Sequence, residues 1–435
     1  MKKRWVSVVL VISMLAAGVM TGCGGGKKTE ENKTEGGSEE KQVLTLMGVG
    51  TSSEQAYVDL MEDLAEEFNN TNEYNTEIQI EWYENEQYKT KLPTLMTQNE
   101  AGDIFFSWTS GWLQPYVENG KVYSISEAME KDPEWKDRFY AGMLDGTTFD
   151  DQIYALPSTQ SLYVVYYNKG IFSDLGLSEP ETWDEFIEIT KTLKQNDIVP
   201  VAIGGQEGWI AGFHMNLLAN GLYGKALTDD MVDGKTNWED ERFAEAGELF
   251  QDIGNSGIYN DGFLGLDYNG SRELFLSGKA AMYPMGTWDT SAIMDSFGGD
   301  ISKVGAFILP AVNAENQNVT LSQTDKIYAI SETCKNKEAA CAFLKRLTDP
   351  DVQGRLVAEI GAIPVSEAKY DEAAVDDLTK KILEKLPDLT TTLPLSLIFG
   401  ATGEEYNNIA VSIAGGNDVK EQLKALQEYA ANAVE

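Results

Sequence analysis

Apolar positions along this chain recur in two ways, at every second residue or in short unbroken runs, and at helical spacing. Val43-Leu-Thr-Leu-Met47 reads as a short buried strand. Thr51 or Ser52 is placed to cap the next segment, with Glu54 at the capping-box position after Thr51. Tyr57, Leu60, Met61, Leu64, Ala65 and Phe68 then repeat at helical spacing. Ile78, Ile80 and Trp82 alternate as a strand, 86–98 reads as a helix, and Asp103 to Trp108 is another buried strand. A short helix is expected near 112–119. Strand–helix alternation of this kind predicts a parallel, doubly wound α/β sheet.

A second such unit begins near 155. Leu162 to Tyr167 is its first strand, and Thr182-Trp-Asp-Glu185 opens a helix running to about Gln195. Val199 to Ile203 reads as a strand, with a helix after it from about 209 to 220. Helices near 239–254 and 270–278 lead to a strand at Ala280 to Met285, and the chain from 372 onward is mostly helical. There is no short internal repeat. Two α/β units without an obvious linker predict two lobes that share a chain path.

The N-terminal segment stands apart. Lys2, Lys3 and Arg4 precede an apolar stretch from Trp5 to Met20, shorter than the roughly 18–20 residues needed to span a bilayer. It ends in Met20-Thr21-Gly22-Cys23, which resembles a bacterial lipobox, with Met20 where Leu, Val or Ile is usual. Residues 1–22 are therefore expected to be a lipoprotein signal peptide and Cys23 to carry the acyl chains that anchor the mature protein. Residues 23–42 lack large apolar side chains and are expected to form a flexible, acidic, glycine-containing tether.

Charge and composition narrow the partners. The 435 residues include 34 Lys and Arg against 70 Asp and Glu, a net charge of −36. That balance argues against nucleic acid, whose phosphates require a basic face. A single histidine, His214, and three cysteines leave too few ligands for a zinc site of Cys and His, and no disulfide framework. Cys334 and Cys341 are seven residues apart, with a helix starting near Lys337, so a bridge between them is not expected. The Gly204-Gly205-Gln-Glu-Gly208 run reads as a turn rather than a dinucleotide site, and no Walker A motif occurs. No cofactor or metal is implied, and no pair of acids stands out as a glycosidase pair.

Tryptophan just past predicted strands carries more information. Trp108 opens the loop Trp108-Thr-Ser-Gly-Trp112, Trp209 follows the Gly205–Gly208 turn, and Trp288 sits in Met285-Gly-Thr-Trp-Asp289. Ligands of open α/β sheets bind beyond the carboxyl ends of strands. Indole faces there can stack on the C–H face of a pyranose. Trp183 and Trp238, at helix starts, read as structural.

With these residues in view the chain resembles the extracellular solute-binding proteins of carbohydrate ABC importers, the family that includes maltose-binding protein. The resemblance spans about 43–435. Its marks are Gly102-Asp-Ile-Phe-Phe106 with Val117-Glu-Asn-Gly120, then Tyr154-Ala-Leu-Pro157 with Leu162-Tyr-Val-Val-Tyr-Tyr-Asn-Lys169. Thr182-Trp-Asp-Glu-Phe186, Phe275-Leu-Ser-Gly-Lys-Ala-Ala-Met282 with Gly286-Thr-Trp288, and Ile327-Tyr-Ala-Ile-Ser331 before Lys337-Glu-Ala-Ala340 complete it.

The resemblance implies a periplasmic-binding-protein-like fold of two α/β lobes, 43–154 with 323–361 and 155–322 with 362–435, closing on a ligand by a hinge. It implies a monomeric receptor without catalytic activity that delivers a mono- or oligosaccharide to the permease of an ABC transporter. It would sit on the outer face of the cytoplasmic membrane, periplasmic in a Gram-negative cell. It assigns ligand contacts to Trp108, Glu207, Trp209 and Trp288, and polar contacts to Ser53 and Glu54. Asp289 beside Trp288, Ser161 (where some relatives carry Glu), Asp325, His214 one turn beyond Trp209, and Phe399 in a loop of the tail are further candidates. The competing expectations are an extracellular glycoside hydrolase using a carboxylate pair, or a binding protein for another solute such as a polyamine.

Overall fold

The computed structural model describes residues 41–50, 54–300 and 302–433. The proposed signal peptide, Cys23, most of the tether, and Thr51 to Ser53 lie outside them. Among the described residues no helix is long and apolar enough to cross a membrane.

The strands are β1 (Gln42–Val49), β2 (Thr76–Tyr83), β3 (Ile104–Ser107), the small hairpin β4 (Thr148–Phe149) and β5 (Gln152–Ile153), and the long β6 (Ala155–Asn168). After them come β7 (Val199–Val201), β8 (Ala280–Gly286), β9 (Val304–Phe307), the long β10 (Val319–Ile330), and the short β11 (Ile363–Pro364) and β12 (Thr390–Thr392). Apart from the hairpin they form one sheet along the path β2-β1-β3-β10-β6-β8-β7, with β9 and β11 on β6 and β12 on β10.

The helices follow the apolar spacing. Gln55–Thr71 buries Tyr57, Leu60, Met61, Leu64, Ala65 and Phe68. Trp183–Gln195 opens on a capping box, in which Thr182 Oγ1 accepts from Glu185 N at 3.3 Å and Glu185 Oε2 accepts from Thr182 N at 3.2 Å. Lys337–Leu347 carries Cys341 on its buried side, and Cys334 and Cys341 are both free thiols. The first helix departs from expectation at its start. Glu54 is its N-cap residue but makes no side-chain cap; its carboxylate turns to Lys326 instead.

The sheet is mixed, not parallel throughout. β1 pairs in parallel with β2 and β3, and β7 with β8. β10 runs antiparallel to both β3 and β6, and β6 antiparallel to β8 and β9. The cause is the length of β6 and β10, which serve two hydrophobic clusters in turn. One cluster contains Leu44, Phe105, Ala155, Leu156 and Ile327 to Ile330; the other contains Leu162 to Tyr167, Met282, Leu321 and Ile409. β6 leaves the first for the second, and β10 returns.

At the crossing the chain turns polar. Ser158 Oγ donates to Lys326 O at 3.1 Å, Gln160 Nε2 to Ser322 Oγ at 2.8 Å, and Ser161 Oγ to Asp325 Oδ2 at 3.0 Å. One residue, Lys326, drops out of the β6–β10 ladder without shifting its register, and its φ is +49°. Its ammonium is buried against the Glu54 carboxylate and lies 4.9 Å from the centre of the Tyr57 ring. Burial alone would lower the basicity of Lys326, but the carboxylates of Glu54 and Asp325 outweigh it and hold the ammonium charged.

Breaking this pair strands a buried charge. Lys326→Met is expected to cost about 3–5 kcal/mol in urea unfolding, and Glu54→Gln with Lys326→Met together much less than Lys326→Met alone. A single-variant loss below about 1 kcal/mol would mean that the pair is effectively solvated.

Candidate functional site

A cavity of about 290 Å³ opens between the two hydrophobic clusters, beside the β6–β10 crossing. Its size sits near the lower end of the roughly 300–1,000 Å³ usual for small-molecule sites. One wall carries Trp108 and Trp112, from the loop after β3. Their ring centres are 5.1 Å apart, and Phe106 meets Trp108 edge-on at 5.1 Å. Lys89 Nζ lies 5.6 Å from both indoles.

The opposite wall carries Trp209, Tyr268 and Trp288. Trp209 lies in the first turn of the helix Gly208–Tyr223 and contacts Tyr268 at 5.9 Å and Trp288 at 6.0 Å between ring centres. Trp288 follows β8 directly, and its indole folds back over Gly286. A Cβ at Gly286 would come within 2.0 Å of that ring, so the glycine is what lets the indole lie there.

Polar groups occupy the floor and rim. Asp325 and Lys326 reach the cavity from β10, Glu54 from the start of the first helix, and Glu207 from the N-cap of Gly208–Tyr223. Glu207 Oε2 accepts from Tyr268 N at 2.9 Å. Burial raises the Glu207 carboxyl above its ordinary value, that backbone donor opposes the shift, and nearby Asp267 and Glu86 add to it.

The two walls also touch directly. Trp112 Nε1 donates to Ser396 O at 3.3 Å. A Cβ at Gly111 would lie 2.4 Å from Gly400 N, and Gly400 has φ +52°. The loop of the first wall thus meets the turn between the helices Leu395–Ile398 and Gly400–Ala414 backbone to backbone.

Trp108, Glu207, Trp209, Trp288, Asp325 and Glu54 therefore all line one cavity. Ser161 lines a smaller adjoining space of about 30 Å³ behind Trp288, where it supports Asp325. Ser53 lies outside the described residues. Three candidates line neither space. His214 is five residues beyond Trp209, about 140° further round the helix at roughly 100° per residue. Phe213, only about 40° off, takes the cavity position instead. His214 points into the core, its Nδ1 3.4 Å from the Tyr259 hydroxyl.

Asp289, next to Trp288, is fully buried behind the wall. It accepts from the Tyr268 hydroxyl and, at 2.9 Å, from the Tyr283 hydroxyl, with Arg272 3.6 Å away. Burial pushes its carboxyl up to about 6, against the pull of Arg272 and the two phenols. Phe399 packs edge-on against Trp238 at 5.3 Å. Sequence reasoning left out Trp112, Tyr268 and Lys326. Trp112 stood in the loop already singled out; for Tyr268, which opens a helix far from any tryptophan in sequence, there was no local signal.

The sequence model of the bacterial extracellular solute-binding proteins matches residues 51–354. The chain belongs to this family. An ABC transporter extracellular-binding protein of Pyrococcus horikoshii is 27% identical over 314 residues, 71% of each chain. The diacetylchitobiose binding protein of Streptomyces coelicolor is 24% identical over 373 residues, 85% of this chain and 83% of that one. The solved structure of a chitin oligosaccharide binding protein superposes with a TM-score of 0.83 at 23% identity, covering 91% of this chain and 99% of the other. This solute-binding protein thus has the periplasmic-binding-protein-like fold, and its family and structural neighbours are binding proteins rather than enzymes.

His214 offers a clean test of the core around the site, because the chain has one imidazole. Burial pushes it down to about 3 from an ordinary value of 6.5. A depressed folded-state value means that stability is fully present above about pH 6.5 and is lost as pH falls toward 3. The imidazole proton resonances should stay flat from pH 7.5 to 5; a sigmoid centred near 6.5 would show that the ring reaches water.

Proposed function

We propose that this protein is a receptor that captures a mono- or oligosaccharide between two lobes and hands it, unchanged, to the permease of an ABC transporter. The observation that carries the reading is the pair of aromatic walls facing one cavity, Trp108 with Trp112 on one side and Trp209 with Trp288 on the other. Flat indoles suit the C–H faces of sugar rings, and the carboxylates beside them suit sugar hydroxyls. A relative named for diacetylchitobiose supports the same ligand class.

The lobes are 43–154 with 323–361 and 155–322 with 362–435, a division supported by the two hydrophobic clusters that β6 and β10 connect except at its edges, where Ala155, Leu156 and Ala362 pack in the first cluster. The binding residues are those lining the cavity, with Asp289 and Ser161 holding Tyr268 and Asp325 in place. The protein is anchored through acylated Cys23 to the outer face of the cytoplasmic membrane, acts as a monomer and needs no cofactor. Calorimetric titration with xylo-, chito- and cello-oligosaccharides, followed by chromatography of the recovered sugar, tests the reading. Binding without product is expected; hydrolysis abolished by one Asp or Glu substitution would make the protein a glycosidase.

Trp288 gives the sharpest variant. Stacking removes apolar area from water at about 25 cal/mol per Å², so Trp288→Ala should cost on the order of 2–4 kcal/mol of binding, roughly 30- to 1,000-fold in affinity. The unliganded melting temperature should fall far less. Near-normal affinity with a collapsed melting temperature would make Trp288 a structural residue. For the anchor, Cys23→Ala should release the protein into the medium or periplasm, as read by cell fractionation. A variant that stays with membranes after a salt wash would rule out acylation as the attachment.

A further inference from the structure

Charge and hydrogen-bonding capacity in the cavity are one-sided. Both cations that line it are already matched to carboxylates, Lys326 to Glu54 and Lys89 to Glu86 at 3.3 Å. The lining acids Glu84, Glu207 and Glu404 have no cation within ion-pair distance among the described residues, while Asp325 shares Lys326 with Glu54. One neutral lining group leans the same way. Gln323 Oε1 is a buried amide oxygen without a hydrogen-bond partner, whereas Asn407 Oδ1, likewise unpartnered, is turned onto Gly212 of the helix Gly208–Tyr223. The orientation of the Asn407 amide is fixed, because its Nδ2 donates to Glu404 Oε2 at 3.2 Å. Two of the acids, Glu86 and Glu207, come from opposite walls, and Glu86 adds to the burial that disfavours charge on Glu207.

We propose that this cavity selects saccharides by charge, binding a sugar that carries a protonated amino group more tightly than its neutral counterpart and excluding sugar carboxylates. The proposal rests on the sugar reading above and deepens it. A bound ammonium lies in the field of carboxylates that have no counter-ion, and it supplies donors where acceptors are in excess. A uronate carboxylate brings like charge and acceptors only, and its desolvation has nothing to offset it. Hydroxyls of a neutral sugar satisfy the acceptors without altering the charge.

The test uses matched sets on two skeletons. Glucosamine, glucose and glucuronate form one; the chitosan disaccharide, cellobiose and cellobiouronic acid form the other. Calorimetric titrations at 20 mM and 500 mM NaCl are expected to rank amine over neutral by about 5- to 30-fold at low salt, with no detectable binding of the uronates. High salt should shrink the amine preference, since screening acts within a few ångströms at that concentration. Glu207→Gln and Glu86→Gln should each lower the amine-to-neutral ratio several-fold. Equal affinity for amine and neutral forms, or measurable uronate binding, overturns charge selection while leaving the sugar reading standing. Binding of none of the six and of none of the xylo-, chito- and cello-oligosaccharides, or tighter binding of spermidine than of any sugar, overturns both.

Discussion

The pairing of β6 with β10 is the contact on which the remaining structure depends. Both strands begin in one hydrophobic cluster and end in the other, so their register ties two separately packed cores together. A slip of one residue would turn every side chain to the opposite face. Buried hydrogen bonds at the crossing oppose such a slip, because Ser158, Gln160 and Ser161 each find a partner on β10. The one residue that breaks the ladder, Lys326, sits in a left-handed conformation that costs roughly 1–3 kcal/mol for a side chain of its kind. Its ammonium is held by Glu54 and its backbone N–H by Asp325 Oδ1 at 2.7 Å, so the local strain is offset by two charged contacts. The floor of the cavity is therefore the same set of residues that joins the cores.

Much of this fold was legible in the chain because helices and short strands bury regular patterns. Gln55–Thr71 and Trp183–Gln195 could be placed from apolar spacing and, for the second, from its capping box. The long strands were legible only in part. Leu162 to Tyr167 is apolar and reads as a strand, whereas Pro157-Ser-Thr-Gln-Ser161 has the composition of a turn. In the structure those polar residues are strand because Ser158, Gln160 and Ser161 find side-chain partners across the crossing, and no window of sequence contains those partners. The same blindness made the sheet look parallel, since the antiparallel neighbours of β6 are β8, β9, β10 and β11, more than a hundred residues away.

The site divides along a similar line. Trp108, Trp209 and Trp288 could be found because each stands just beyond a strand, where an open sheet presents its loops to a ligand. Proximity in sequence to such a residue was a poor guide. His214 and Asp289 follow cavity tryptophans closely, yet both point into the core behind them. Their roles are still connected to the site. Asp289 takes hydrogen bonds from Tyr268, a lining ring, and from Tyr283, a buried one. A wall that must present flat faces to a ligand needs its rings fixed from behind, and a buried acceptor shared by two phenols does this without adding charge to the cavity surface.

Closure of the proposed lobes on a ligand would have to reconcile two opposing effects. The walls carry Glu86 and Glu207, which repel when the walls approach, and the Coulomb term grows as water leaves the gap. Against this stands the contact at the mouth, where Gly111 and Gly400 let two backbones meet and Trp112 Nε1 reaches Ser396 O. Side chains at either glycine would hold the walls apart at that point. A neutral backbone contact is insensitive to charge, so the mouth can close on any ligand of suitable shape. On the charge-selection proposal the interior, where Glu84, Glu207 and Glu404 lack a cation partner among the described residues, then decides by electrostatics which ligands make the closed arrangement stable. On that proposal shape is read chiefly by the indoles and charge by the acids, and the two are carried by different residues on the same walls.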